Sequence, residues 1–196
     1  MTGTKQGRRG AHVLDAVVEV IAEHGFEAAT MRTVAATAGV SLAQVQYYFP
    51  SKDELLAAAF QHVIQTFDTK LATVDISGSP RKVLRALLEL WLPLDEARAR
   101  DARVRLAFSA AAATSPALTD IAATTDTELR VAFARLLDGA VAGGELKEVA
   151  DTETESALLL AVVDGLVVQA LALPEAGRQD LVRHSLDTHL DRLFAR

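Results

Sequence analysis

The sequence predicts an all-α protein of about nine helices, with a small N-terminal helix-turn-helix domain joined to a larger helical domain. Three observations carry this. Apolar residues recur at helical spacing along nearly the whole chain. The punctuation belongs to helices: Ser-Pro pairs at 79–80 and 115–116, Ser51 followed by Glu54 at the capping-box spacing, and Gly25, Gly39 and Gly143-Gly144 at helix ends. No Asn-Gly or Asp-Gly turn stands between alternating strands, because Asp138-Gly139 and Asp164-Gly165 both fall inside helical periodicity.

Taken in order, the first helix is expected over residues 9–24. Val13, Leu14, Val17, Val20 and Ile21 line one face, and Gly25 stops it. Thr30 caps a short second helix to about residue 37. Gly39 breaks that helix, and Ser41 caps a third to about residue 48. Ser51 and Glu54 open a long helix to about residue 73. Further helices are expected over 80–91, 95–113, 116–141, 152–173 and 175–194, separated by Pro93, Ser115-Pro116, Gly143-Gly144 and Pro174. Short helices give way to long ones near residue 50, so the domains are placed at 1–50, with a basic arm at 1–9, and 51–196.

Composition narrows the function classes. Half of the 196 residues are hydrophobic and 23% are charged, which is an ordinary globular balance. The length fits one domain or two small ones, at roughly 100–200 residues each. With no cysteine, the chain has no disulfide scaffold, no cysteine-based zinc site and no thiol nucleophile. It is expected to be cytoplasmic. The most apolar stretch, residues 157–173, carries Asp164 at its centre and reads as a buried helix rather than a membrane span. No Glu-x-x-His pair, His-Glu-x-x-His, Gly-x-Ser-x-Gly or Walker loop is present, so no catalytic residue, metal site or cofactor is expected.

The net charge of −6 argues against coating nucleic acid by bulk charge. The charge is uneven, however. Residues 1–52 sum to +1 and the remainder to −7, and residues 28–52 contain no acid at all. That window offers little repulsion to a polyanion.

The same window reads TMRTVAATAGVSLAQVQYYFPSK from Thr30 to Lys52. Ala35 is small enough for two helices to cross closely, Gly39 suits the turn between them, and Val34, Val40 and Val45 fill a small shared core. A second helix beginning at Ser41 presents amides and phenols: Gln44, Gln46, Tyr47 and Tyr48. A glutamine amide pairs bidentately with adenine N6 and N7. Hydroxyls, backbone N–H groups and lysine suit phosphates, which position a protein without reading sequence. Two adjacent tyrosines on one short helix cannot both face inward, so at least one is expected at the surface, with Phe49 in the core.

Residues 30–55 resemble the DNA-binding signature of the TetR family of bacterial transcriptional regulators. The resemblance is nearly residue for residue in Gly39-Val40-Ser41 and in Tyr47-Tyr48-Phe49-Pro50-Ser51-Lys52-Asp53-Glu54-Leu55-Leu56. Residues 11–26, ending in Gly25-Phe26, are similar to that family's first helix. Beyond these, the chain resembles the family in length, helix count and order.

The resemblance implies roles for particular positions. Thr30, Arg32 and Thr33 open helix two, where phosphates are met, and Ser41 opens helix three. Gln44 and Tyr47 occupy positions that face the groove, while Tyr48 and Lys52 occupy positions that touch the backbone. Gln46 stands where many members carry tyrosine. A phenol there meets phosphate or sugar, whereas an amide can read a base. Lys5, Arg8 and Arg9 form either a flexible arm that reaches an adjacent groove or a solvated tail.

The resemblance further implies a small-molecule effector, a double-stranded operator and a homodimer. Effector contacts are expected from Phe67, Trp91, Arg105, Phe108, Phe133 and Asp164, although Trp91 suits a core better than a ligand contact. The dimer interface is expected from Leu158, Val162, Leu166, Leu186 and Leu190 on the last two helices. A two-fold dimer would set two reading helices about 34–36 Å apart on successive major grooves. The rival reading is a helical binding module that has lost its affinity for DNA.

Overall fold

In the computed structural model, residues 5–146 and 151–194 are described, with the side chains of residues 5–9 excepted. Among the described residues there are nine α-helices and one short 3₁₀ turn: α1 (Lys5–His24), the 3₁₀ turn (Phe26–Ala28), α2 (Met31–Thr37), α3 (Leu42–Tyr48), α4 (Lys52–Leu71), α5 (Pro80–Glu89), α6 (Glu96–Ala112), α7 (Pro116–Ala142), α8 (Thr152–Leu171) and α9 (Glu175–Phe194). The expected ends hold to within a few residues. The largest difference is at α1, whose helical backbone starts at Lys5 rather than Arg9. Arg8, Lys5 and Arg9, the expected arm, lie outside the residues whose side chains are described.

The caps explain why the helices start where they do. Thr30 accepts the N–H of Thr33, Ser41 that of Gln44, Ser51 that of Glu54 and Ser79 that of Lys82. Asp151 accepts two N–H groups, from Glu153 and Thr154, at the start of α8.

Two compact units result. One is Met1–Asp68 with Arg103–Ala123; the other is Thr69–Ala102 with Thr124–Arg196. The change of helix length near residue 50 is therefore not where compactness divides the chain. Leu55, Leu56, Ala59 and Phe60 of α4, and Val104, Phe108, Ala112 and Leu118 further on, are buried in one cluster with Val13, Val17, Val20 and Ile21 of α1. Phe108 stacks on Phe60 at 4.8 Å between ring centroids and meets Phe26 edge-on at 5.5 Å. Asp15 on α1 and His62 on α4 meet at 2.7 Å. This core is the platform that carries α2 and α3.

The second unit is organised around α8 and α9, which pack on each other, with α5 against α9. Leu84, Leu88 and Leu92 are fully buried there, as are Leu137, Leu159, Val163, Val182 and Leu190. The α5–α9 contact carries ion pairs at its edge. Arg85 meets Asp187 at 2.9 Å, and Arg81 pairs with Asp191.

By length and apolarity α8 is long enough to cross a bilayer. One side of it instead packs inward through Ser156, Leu159, Val163, Leu166, Val167 and Ala170. Asp164 lies exposed, so the polar group that looked buried within an apolar sequence faces outward instead.

Candidate nucleic-acid interface

The turn between α2 and α3 is built by the backbone. Val40 donates to the Ala35 carbonyl at 3.0 Å, and Gly39 donates to the Ala36 carbonyl at 3.1 Å. That pair of bonds is a Schellman motif, which needs a left-handed residue at its centre; Gly39 supplies it with φ 63°. Ala35 and Ala38 are buried in the crossing, and Val34 and Val45 are fully buried beneath it. A third anchor comes from α1: the ring Nε2–H of His12 donates to the Ala38 carbonyl at 2.9 Å. The two helices thus sit on a fixed platform with a defined angle between them.

With Val45 facing the core, the rest of α3 is left to solvent. Ala43, Gln44, Gln46 and Tyr47 are exposed, and Tyr47 is 72% exposed. Tyr48 is half-buried, its ring edge-to-face with Tyr47 at 5.3 Å. Phe49 is half-buried against the core cluster. Apart from that ring contact the Tyr47 phenol is open to solvent and available to a partner.

Arg32 and Lys52 are exposed, and neither meets a carboxylate among the described residues. Thr33 is half-buried, and its hydroxyl is shared with Thr30 at 2.8 Å. The arrangement therefore offers two free cations, hydroxyls at two helix starts and a polar reading face, with no acid from residue 28 to 52. This chemistry suits phosphate positioning around a helix that enters a groove.

Residues 13–59 match the model of the bacterial regulatory proteins, tetR family. Residues 80–195 match the C-terminal domain of the BetI-type transcriptional repressors. The chain belongs to the TetR family. It is 30% identical to the HTH-type transcriptional regulator PksA of Bacillus subtilis, covering 95% of this chain and 90% of that one. It is 27% identical to the nicotine-responsive transcriptional repressor HdnoR of Paenarthrobacter nicotinovorans, over 94% of this chain and 95% of that one. A solved transcriptional regulator from Rhodococcus sp. Rha1 has the same fold, with a TM-score of 0.86 at 36% identity over 94% of this chain and 95% of that one. A putative regulator from Saccharomonospora viridis, solved with choline, matches in fold with a TM-score of 0.85 at 23% identity, over 96% of this chain and 99% of that one. The protein is a TetR-family, ligand-responsive, DNA-binding transcriptional regulator.

Placed against this TetR-family fold, the expected effector residues separate. Arg105 lies over the Phe67 ring at 5.0 Å from its centroid, a cation–π contact within the first unit. Trp91 and Phe133 meet edge-on at 5.9 Å in the second unit, and both are buried. Phe108 is fully buried, with Phe60 and Phe26 against its ring. Asp164 is exposed on α8 rather than enclosed.

The expected interface residues separate in the same way. Leu166, Leu186 and Leu190 are buried inside their own unit. Val162 is half-buried and Leu158 is 53% exposed. Sequence reasoning missed the rest of that outward face: Ala161, Val168 and Ala172 are exposed beside Leu158, and Gly165 is half-buried among them. The small residues at 157, 161 and 165 were the available signal, but an apolar helix with no polar side does not announce which face turns inward.

Proposed function

We propose that the protein represses transcription as a homodimer on a palindromic operator, and that a small-molecule effector releases it. The observation that carries this reading is the exposed α3 face, with Gln46 and Tyr47 open to solvent and the exposed cations of Arg32 on α2 and Lys52 at the start of α4. A single head of seven helical residues contacts few base pairs; two heads related by a two-fold axis double the site and make it an inverted repeat.

The outward face of α8 supports the dimer. Leu158, Ala161, Gly165, Val168 and Ala172 form an apolar strip with small residues, suited to close helix packing against its own copy. The effector acts by binding one state of the protein better than the other, and a difference of about 1.4 kcal/mol changes occupancy tenfold. Effector contact is sought within each unit separately: at Phe67, Arg105 and Phe108 in the first, and at Trp91, Phe133 and Asp164 in the second. Nicotine and choline, named for two relatives, head the panel to be tried. The working compartment is the cytoplasm, where the chromosome lies.

The test is selection of bound sequences from a random duplex pool by the purified full chain at about 150 mM salt, where charges beyond roughly 8 Å are screened. An enriched inverted repeat is expected. Recovery of only random sequence, with and without the effector panel, contradicts the reading.

A further inference from the structure

The two glutamines of α3 are not equivalent. The side-chain oxygen of Gln44 accepts the Ser41 N–H at 3.0 Å and the Ser41 hydroxyl at 3.2 Å. In return, the Gln44 N–H donates to the Ser41 hydroxyl oxygen at 3.2 Å. This is a reciprocal capping box. A carboxamide oxygen has two acceptor sites, and both are occupied. Reading adenine requires a glutamine to accept from N6 with that oxygen while donating to N7. Gln44 can do so only by giving up the bonds that hold the first turn of the helix.

Gln46 has no such engagement. It is exposed, and its amide has no hydrogen-bond partner among the described residues. It shares one helical face with Ala43 and Tyr47, at i, i+3 and i+4 spacing, opposite the fully buried Val45. Ala43 adds little bulk to that face, so the helix can lie close to the base edges. Both the donor and the acceptor of Gln46 are unspent.

Resting on the reading that α3 enters a major groove, we propose that Gln46 is the specificity-determining residue, selecting an adenine in each half-site. Gln44 is a positioning residue that fixes the start of α3 and reads no base.

The experiment repeats the random-duplex selection with the full chain carrying Gln46→Ala, Gln46→Glu, Gln44→Ala or Gln44→Glu, each checked by thermal melting. Gln46→Ala is expected to recover the wild-type repeat with one adenine position per half-site relaxed by about tenfold. Gln46→Glu should turn that position towards cytosine, whose N4 amine a carboxylate accepts. Gln44→Ala should weaken all sequences together and leave the recovered motif unchanged. Gln44→Glu retains a capping oxygen and should restore the melting temperature with the same motif.

An unchanged motif from both Gln46 variants overturns the assignment, as does a position altered by Gln44→Glu. Wild-type protein that enriches no sequence overturns the operator reading itself, and the assignment with it. The two failures are therefore distinguishable.

Discussion

Gly39 shows how a single residue fixes the angle of the reading head. Its φ of 63° is the left-handed region, and an added Cβ would meet nothing within 4 Å. The cost of Gly39→Ala is therefore backbone strain alone, about 1–2 kcal/mol, to be read by urea unfolding. His12→Ala removes the ring donor from the Ala38 carbonyl and should cost about 1 kcal/mol, with a larger loss of DNA affinity than Gly39-independent surface changes such as Glu19→Ala. Binding titrations on one duplex check this. Gly39, Ser41 and Ser51 were readable from the sequence because turn and cap preferences act over three or four residues. The clamp from His12 was not, since its partner lies 26 residues away. Nor was the engagement of Gln44, where cap and base compete for one oxygen and only atomic geometry decides between them.

Helices carry the next level of the argument, and α8 is the informative one. Its inward face fills the core of its unit, while its outward face is spare. Truncating a side chain of the first kind, as in Leu159→Ala, should cost about 2–5 kcal/mol of stability. Leu158→Asp changes the second kind: melting of the unit should be little affected, while sedimentation shows dimers giving way to monomers. Sequence periodicity placed the nine α-helices of the described residues, yet it does not tell Leu166, Leu186 and Leu190, which are buried in their own unit, from the exposed Leu158. A strip that packs inside its own chain has the same spacing as one that packs on a copy.

The start of α8 also depends on pH. Asp151 has its carboxyl held below the ordinary 3.8, first by the hydroxyl of Thr154 and then by the backbone N–H of Glu153. A pKa lowered by folding means that the carboxylate stabilises the fold above the unfolded value, and that this contribution is lost as pH falls through the lowered one. Asp151→Ser keeps a capping oxygen without a titrating group. Acid unfolding followed by circular dichroism should therefore show wild type and variant diverging only below about pH 4, with wild type the more acid-sensitive.

At the scale of the whole molecule, function rests on an acidic protein whose longest acid-free window is residues 28–52. The net charge of −6 keeps general affinity for nucleic acid low, while residues 28–52 remain free of repulsion. Phosphate contacts there release counterions, so affinity falls as salt rises, with a slope of about 0.9 per phosphate met. Lys52→Ala should weaken all sequences similarly and reduce that slope by about 1. The most direct measurement compares the full chain on a duplex carrying two inverted half-sites with one carrying a single half-site, titrated across salt. The account predicts far tighter binding to the paired site, two chains per duplex, and a linear fall of log affinity with log salt. Equal affinity for both duplexes, or binding indifferent to salt, would contradict it.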